Sequence, residues 1–407
     1  MLKSIIRKEV LSNLLSYKFS IIIILSTILI LVSIFVMYRD YCLALENYEI
    51  LRMKSEGPVV VIPPTPLGVF AKGLDENLCR SYGVGLSGQI NVSSKQQSVN
   101  DLFKLFTALD LLYVIKVILS LCAALFAFNI ICGEKEIGTL RQSLSCSLKR
   151  PILIIGKWIG GFSSFILPFF IAVLLGTIFV TLSPMVDINA QNWVKLGMFL
   201  FSSMIYLAVF FSLGLLISCL THRSSTSLVI SLFVWTILVF LIPNLGNILA
   251  RQFVRIPTVQ QLELKREQSW TKNRFEKRRV DRFEHEKMDS RMMAENDKLT
   301  EDYRNRFNRL VKVSQNITRF SPAAAFTFLA TDIMGTGMLE ERKLRRRVLD
   351  YLKDGDDEGD KPVFSYRRSS IRDVLGPEGL SSCLILILFN ILFFAGAHVA
   401  FLRYDVR

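Results

Sequence analysis

The chain has 407 residues, 51% of them hydrophobic, and a formal net charge of +14 left over from 49 basic and 35 acidic residues. Apolar and charged residues fall in separate blocks instead of mixing. Blocks of about 20 apolar residues match the roughly 30 Å hydrocarbon thickness of a bilayer, which excludes an ordinary soluble fold and predicts an integral membrane protein.

In chain order, residues 1–18 predict a helix lying in the membrane interface, with Leu2, Ile5, Ile6, Val10, Leu14 and Leu15 near one face and charges opposite. The first apolar block, 19–37, follows Lys3, Arg7, Lys8 and Lys18. It is longer than the apolar core of a signal peptide and no small-residue cleavage site follows it, so it is expected to be retained. Residues 38–111 carry turn signals in EGPVVVIPPTPLG and GVGLSGQINVSS and a β-prone run at Val59–Ile62, which predict a small mixed structure. Cys42 and Cys79 both fall there. They could pair in an oxidising compartment, or be two unrelated thiols.

The second block is 112–131. Lys116 is read as the one basic residue clearly within a span, near its outer end, where snorkelling or pairing with Asp110 accounts for it. After a charged segment, 132–151, the third block spans 152–182, long enough to tilt or to kink at Pro168. Gly156 and Gly160, with Gly161, predict close helix contact, within the chain or across a dimer. Further blocks follow at 196–220, 227–250 and 380–402. Residues 251–379 are charged with both signs, and Met288, Met292, Leu299, Tyr303, Phe307 and Leu310 recur near helical spacing, which predicts long helices. The basic clusters KNRFEKRR and ERKLRRR read as solvated, salt-bridged faces, not as a nucleic-acid site, and YLKDGDDEGDKP reads as a loop.

The fold expected is an all-α polytopic membrane protein, with six transmembrane helices, an N-terminal interfacial helix and a mostly helical extracytoplasmic insert. Backbone groups in lipid must satisfy one another, so each span is a helix. Lys and Arg in short loops favour the cytoplasm. The basic N-terminus, Lys135, Arg141, Lys149, Arg150 and Lys157, the 222–223 turn and the basic C-terminus therefore place both termini inside, and 38–111 and 251–379 outside.

The segment CGEKEIGTLRQSLSCSLKR, 132–150, contains Ile137, Leu140, Leu144 and Leu148 at helical steps, Glu134 and Glu136 at its start and Lys149 and Arg150 at its end. This is an amphipathic helix with charges placed as a helix dipole favours. From these residues alone it either lies on the inner leaflet or docks into a soluble partner. The run Gly133-Glu134-Lys135-Glu136-Ile137-Gly138-Thr139-Leu140-Arg141, then Arg150, then Gly156-Lys157, resembles the coupling-helix signature of type-2 ABC transporter permeases. The family often has Pro near the position of Ser147, whereas here the Pro stands at 151. RFSPAAAFTFLATDIMGTG, 319–337, is similar to a stretch in a subgroup with a large outer insert, often labelled multicopper-enzyme-maturation permeases.

The resemblance implies an exporter subunit of a bacterial inner membrane, paired with a second permease copy or a related permease and with cytoplasmic ABC ATPase subunits. It implies ATPase coupling through Glu134, Glu136, Gly138, Thr139, Leu140, Leu144 and Arg150. No phosphate-binding loop is present: Gly156-Lys157 is followed by Trp158, and Pro151 stands in place of the first Gly. Cofactors, metals and catalysis are not expected, since His222, His285 and His398 are far apart. An alternative is a mechanotransmission protein that transports nothing and uses an ABC ATPase to control an extracytoplasmic enzyme or complex. A channel or secondary transporter is disfavoured by spans read as nearly free of charges and interruptions.

Overall fold

The computed structural model describes residues 2–54, 62–75, 81–84, 90–93, 109–145, 149–186, 188–258, 282–353, 364, 366–374 and 376–404, and 260–271 in part. Val59–Val61, Cys79, Cys146, Leu148, the cluster at 272–279 and residues 354–362 of the charged loop lie outside them.

Among the described residues, six helices are long and apolar enough to cross a membrane: Phe19–Met53, Leu111–Ile137, Arg150–Thr181, Ala190–Leu220, Ser224–Phe253 and Pro377–Leu402. The chain is an all-α polytopic membrane protein, with one antiparallel hairpin, β1 (Ser81–Val84) and β2 (Ile90–Ser93), in which Ser81 faces Ser93 and Val84 faces Ile90. By contacts it divides into Met1–Val239 with Pro322–Arg407, and Phe240–Ser321.

The first unit begins with α1 (Leu2–Leu14) and α2 (Tyr17–Lys54). A helical turn at Leu111–Tyr113 leads through a π-helical turn, Val114–Leu119, into α3 (Ser120–Ala127). Then come α4 (Cys132–Ile137), α5 (Thr139–Ser145), α6 (Arg150–Thr181), α7 (Ala190–Leu220) and α8 (Ser224–Thr236). Pro151 opens α6, where its missing N–H costs nothing, and the helix continues through Pro168.

α7 is the axis of the unit. Its buried face packs against α3 and against two helices from the C-terminal part, α11 (Pro322–Met334) and α13 (Pro377–Leu402). At Gly214 a Cβ would sit 2.5 Å from the Ala124 carbonyl oxygen, so only glycine lets α3 approach so closely. Polar side chains in these apolar helices return their hydroxyls to the preceding turn, as Ser164 does to Gly160 and Thr177 to Val173.

Two features depart from the sequence expectation. Lys116 lies in the π-helical turn, half-buried, with its ammonium 5.6 Å from the centre of the Tyr113 ring. Its carbonyl accepts from Ser120 Oγ at 2.6 Å and Tyr206 Oη at 2.7 Å, and Trp235 Nε1 donates to Ser120 Oγ at 2.9 Å. The Ser120 hydroxyl from the next turn and Tyr206 from α7 thus satisfy a carbonyl in the π-helical turn. A second π-helical turn, Ile237–Leu241, interrupts the fifth span, so two spans are locally irregular. The other departure is α11, which lies within the stretch read as an outer region. It is apolar and buried, and Phe326 stacks on Tyr206 at 4.3 Å and on Phe199 at 6.4 Å. At about 20 Å it is too short to cross a bilayer.

At the end of the unit away from 132–150, a polar network gathers distant segments. Arg368 donates to Asp75 Oδ1 through both terminal nitrogens at 3.1 Å, to the Gly335 carbonyl at 2.8 Å and to the Pro63 carbonyl at 3.0 Å. Glu340, from α12 (Met338–Lys353), is buried and accepts from Tyr366 Oη at 2.7 Å and from the Ser369 N–H at 3.2 Å. Lys195 donates to the Ser369 carbonyl at 3.0 Å. Burial, and the phenol's own bond to Glu340, push the Tyr366 pKa above its ordinary value. Asp110 accepts from the N–H groups of Tyr113 and Lys72, and burial raises its pKa against those bonds.

In the second unit, α9 (Ile242–Phe253) packs beside α10 (Arg282–Thr318). Gly246 faces Thr318 so closely that no side chain would fit between them. The 37 residues of α10 extend about 55 Å, with Arg306 paired to Asp302 at 3.0 Å and Tyr303 stacked on Phe307.

Candidate functional site

Segment 132–150 is not one helix. α4 ends at Gly138, which adopts φ +84°, and α5 starts at Thr139 in a new direction. The left-handed conformation excludes most side chains on backbone grounds alone; no atom lies within 4 Å of a Cβ placed there. The break splits the expected apolar stripe. Ile137 is 78% exposed, whereas Leu140 is 1% exposed and packs with Ile131, Leu153, Ile154, Leu215, Cys219, Ala397 and Phe401, with Leu144 at the edge of the same cluster.

The three charges of Glu134-Lys135-Glu136 diverge to three places. Glu134 Oε1 lies 2.7 Å from Lys157 Nζ at the start of α6, and the same ammonium is 2.8 Å from Glu9 Oε1 on α1. Lys135 Nζ donates to the Cys219 and Thr221 carbonyls, at 2.5 and 3.1 Å, where α7 ends, and lies 4.6 Å from the centre of the Tyr404 ring. Glu136 Oε2 accepts from the Ser224 N–H at 3.0 Å and from Ser224 Oγ at 2.6 Å, where α8 begins. A cation on free carbonyls and an anion on free N–H groups are the pairings that helix ends favour.

Arg150 repeats this logic, donating to the Leu402 carbonyl at 2.8 Å and the Tyr404 carbonyl at 3.1 Å at the end of α13. Ser218 Oγ accepts from the N–H groups of Ile131 and Cys132 at 3.0 and 2.9 Å. The segment is therefore anchored to α6, α7, α8 and α13, and through Lys157 of α6 to α1, and presents Ile137 and Thr139 outward.

Of the residues singled out by sequence, Glu134, Glu136, Leu140, Leu144 and Arg150 face the bundle or its helix ends, Gly138 makes the turn and Thr139 is exposed. Sequence reasoning missed Glu9, Ser218 and Ser224, and took Lys135 and Lys157 only as parts of the signature and of the basic inner segment, without their partners. A signal for Lys157 was available: it stands inside the third apolar block, so Lys116 was not alone among basic residues in the spans, and a charge there demands a partner. The Gly pair beside it serves a contact within the chain. A Cβ at Gly156 would lie 2.7 Å from Ile5 Cγ2, and one at Gly160 would lie 2.8 Å from Glu9 Cβ and 3.2 Å from the Ile6 carbonyl oxygen.

Six membrane-length helices among the described residues, with a kinked segment bound to several helix ends at one pole, define a polytopic membrane protein. Residues 4–406 match the family described as ABC-2 family transporter protein, and the chain belongs to it. It is thus a permease component of an ABC transporter, and the family implies ABC ATPase partners. Among curated proteins none matches the chain.

Proposed function

We propose that this permease is the membrane-spanning subunit of an exporter in a bacterial inner membrane, driven by separate ATPase subunits that engage 132–150 from the cytoplasmic side. In this reading the two termini and the 221–224 turn share that side, and two copies, or one with a related permease, pair with two ATPases. The similarity of 319–337 to the subgroup with a large outer insert points to the same class of exporter. ATP binding and hydrolysis bias the alternation between two packings of the spans.

One observation carries the proposal: the segment grips α6, α7, α8 and α13 through polar ties, and α1 through Lys157, while leaving Ile137 and Thr139 at the surface. A push on the exposed turn reaches several helix ends at once.

The test is capture of an ABC ATPase from the protein's own cell by the detergent-solubilised permease, with the captured chain identified by its phosphate-binding loop. Ile137→Asp is the informative variant, since it alters the exposed surface, whereas Leu140→Asp would disrupt the core. Loss of the ATPase from Ile137→Asp with helical content unchanged supports the reading, and undiminished capture sinks it. Substrate-stimulated ATPase activity with outward translocation in liposomes tests the export direction.

A further inference from the structure

We propose that Lys157 is a positioning residue that makes α1 and the 132–137 helix move as one body; this rests on the reading of 132–150 as the ATPase-facing element. Glu9 and Glu134 are 125 positions apart in sequence, yet both carboxylates close on one ammonium, at 2.8 and 2.7 Å. The Lys157 side chain is 4% exposed, and the Glu9 and Glu134 side chains are 17% and 27% exposed, so the ammonium sits inside while both carboxylates reach it from the edge.

Three further observations define the mechanics. α1 reaches Lys157 because Gly156 and Gly160 remove the side chains that would hold it off α6. Glu134 Oε2 is buried with no hydrogen-bond partner among the described residues, so the carboxylate is held through the oxygen that meets Lys157. The neighbouring charges of the motif are committed elsewhere, Lys135 to the end of α7 and Glu136 to the start of α8.

Displacing α4 therefore pulls Glu134 on Lys157, and Lys157 on Glu9. α1 passes through the Leu15–Ser16 turn into α2, the first span. The latch thus gives the first span a share in motions of a segment more than 75 residues further along the chain. Energetic coupling of this kind is reciprocal, so weakening either carboxylate must be felt at the other.

Hydrogen exchange on the solubilised permease alone tests this without any ATPase. Glu9→Gln is expected to speed exchange of the 132–137 amides at least threefold, and Glu134→Gln to speed exchange across 2–14 by a similar factor. Lys157→Arg should keep both protected. Changes confined to the substituted helix would overturn the inference.

The neutral triple variant Glu9→Gln, Glu134→Gln, Lys157→Met avoids stranding a buried charge, so it is expected to fold. Reconstituted with the captured ATPase, it should bind that ATPase as wild type does but lose at least threefold of the permease-stimulated hydrolysis rate. Wild-type stimulation by the triple variant would overturn the latch and leave the coupling segment standing. Failure of wild-type permease to bind any ATPase would defeat the underlying reading, and the exchange experiment would still decide the latch.

Discussion

The two poles of the first unit are both closed by polar side chains, but in different ways. At the pole of 132–150, apart from the ion pairs of Lys157 with Glu9 and Glu134, single charges meet helix ends: Lys135 on the last carbonyls of α7, Glu136 on the first N–H of α8, Arg150 on the last carbonyls of α13. At the other pole charged groups meet one another and loop backbone, as Arg368 meets Asp75 and the Gly335 and Pro63 carbonyls. Ties to helix ends leave each helix intact and let a short segment hold several at once. The Arg368 cluster instead fastens loops 293 positions apart in sequence, and works as a clasp.

The clasp offers the largest expected effect. Arg368→Ala removes the guanidinium that faces Asp75, which is 8% exposed, and takes a donor from two carbonyls. Removing one partner of a buried pair costs about 3–5 kcal/mol, so thermal unfolding in detergent should fall by many degrees. Arg368→Lys should fall between, because a lysine lacks the planar fork that reaches the carboxylate and two carbonyls together. If Arg368→Ala unfolds at the wild-type temperature, the network is not a clasp.

Next come two leucine-sized side chains at the other pole that look alike in sequence. Leu140→Ala empties a position in a packed cluster and should cost about 2–4 kcal/mol. Ile137→Asp, three residues earlier, should stay within about 0.5 kcal/mol of wild type in the same unfolding measurement. Equal losses would mean that the break at Gly138 does not separate an inner from an outer face. Gly138→Val tests the break directly: with open space around the Cβ, its cost is the backbone conformation alone, about 1–2 kcal/mol. Faster protease cleavage between 137 and 140 should accompany it.

These contrasts show what the sequence could reveal. Six apolar blocks announced the spans, because lipid leaves the backbone no alternative to helix. The run from Gly133 to Arg141 announced a special segment, but its periodicity implied one stripe through Ile137, Leu140 and Leu144. Periodicity assumes a continuous helix, and a glycine at φ +84° cancels that assumption without altering the pattern of apolar residues. The partners of Glu134 and Glu136 were invisible for a different reason: Lys157 and Ser224 come close only through the packing of α6 and the turn after α7. α11 was hidden by its length, since 13 apolar residues fall short of a span and its burial depends on α7 and α13.

The smallest expected effect lies at the edge of the clasp, where Asp373 meets Lys343 at 3.2 Å with both side chains largely in water. The hydrogen bond from Lys343 and the Ser370 N–H hold the Asp373 carboxyl below its ordinary value. A carboxylate whose pKa is lowered by folding adds stability above its unfolded value and loses it as pH falls through the folded one. Any contribution should therefore be present at neutral pH and vanish in acid below the ordinary aspartate range. Because water and salt screen the pair, Asp373→Asn should leave the unfolding temperature at neutral pH unchanged within error. A fall as large as that of Arg368→Ala would mean that the surrounding surface is covered in the assembled protein, and that the clasp extends beyond its buried members.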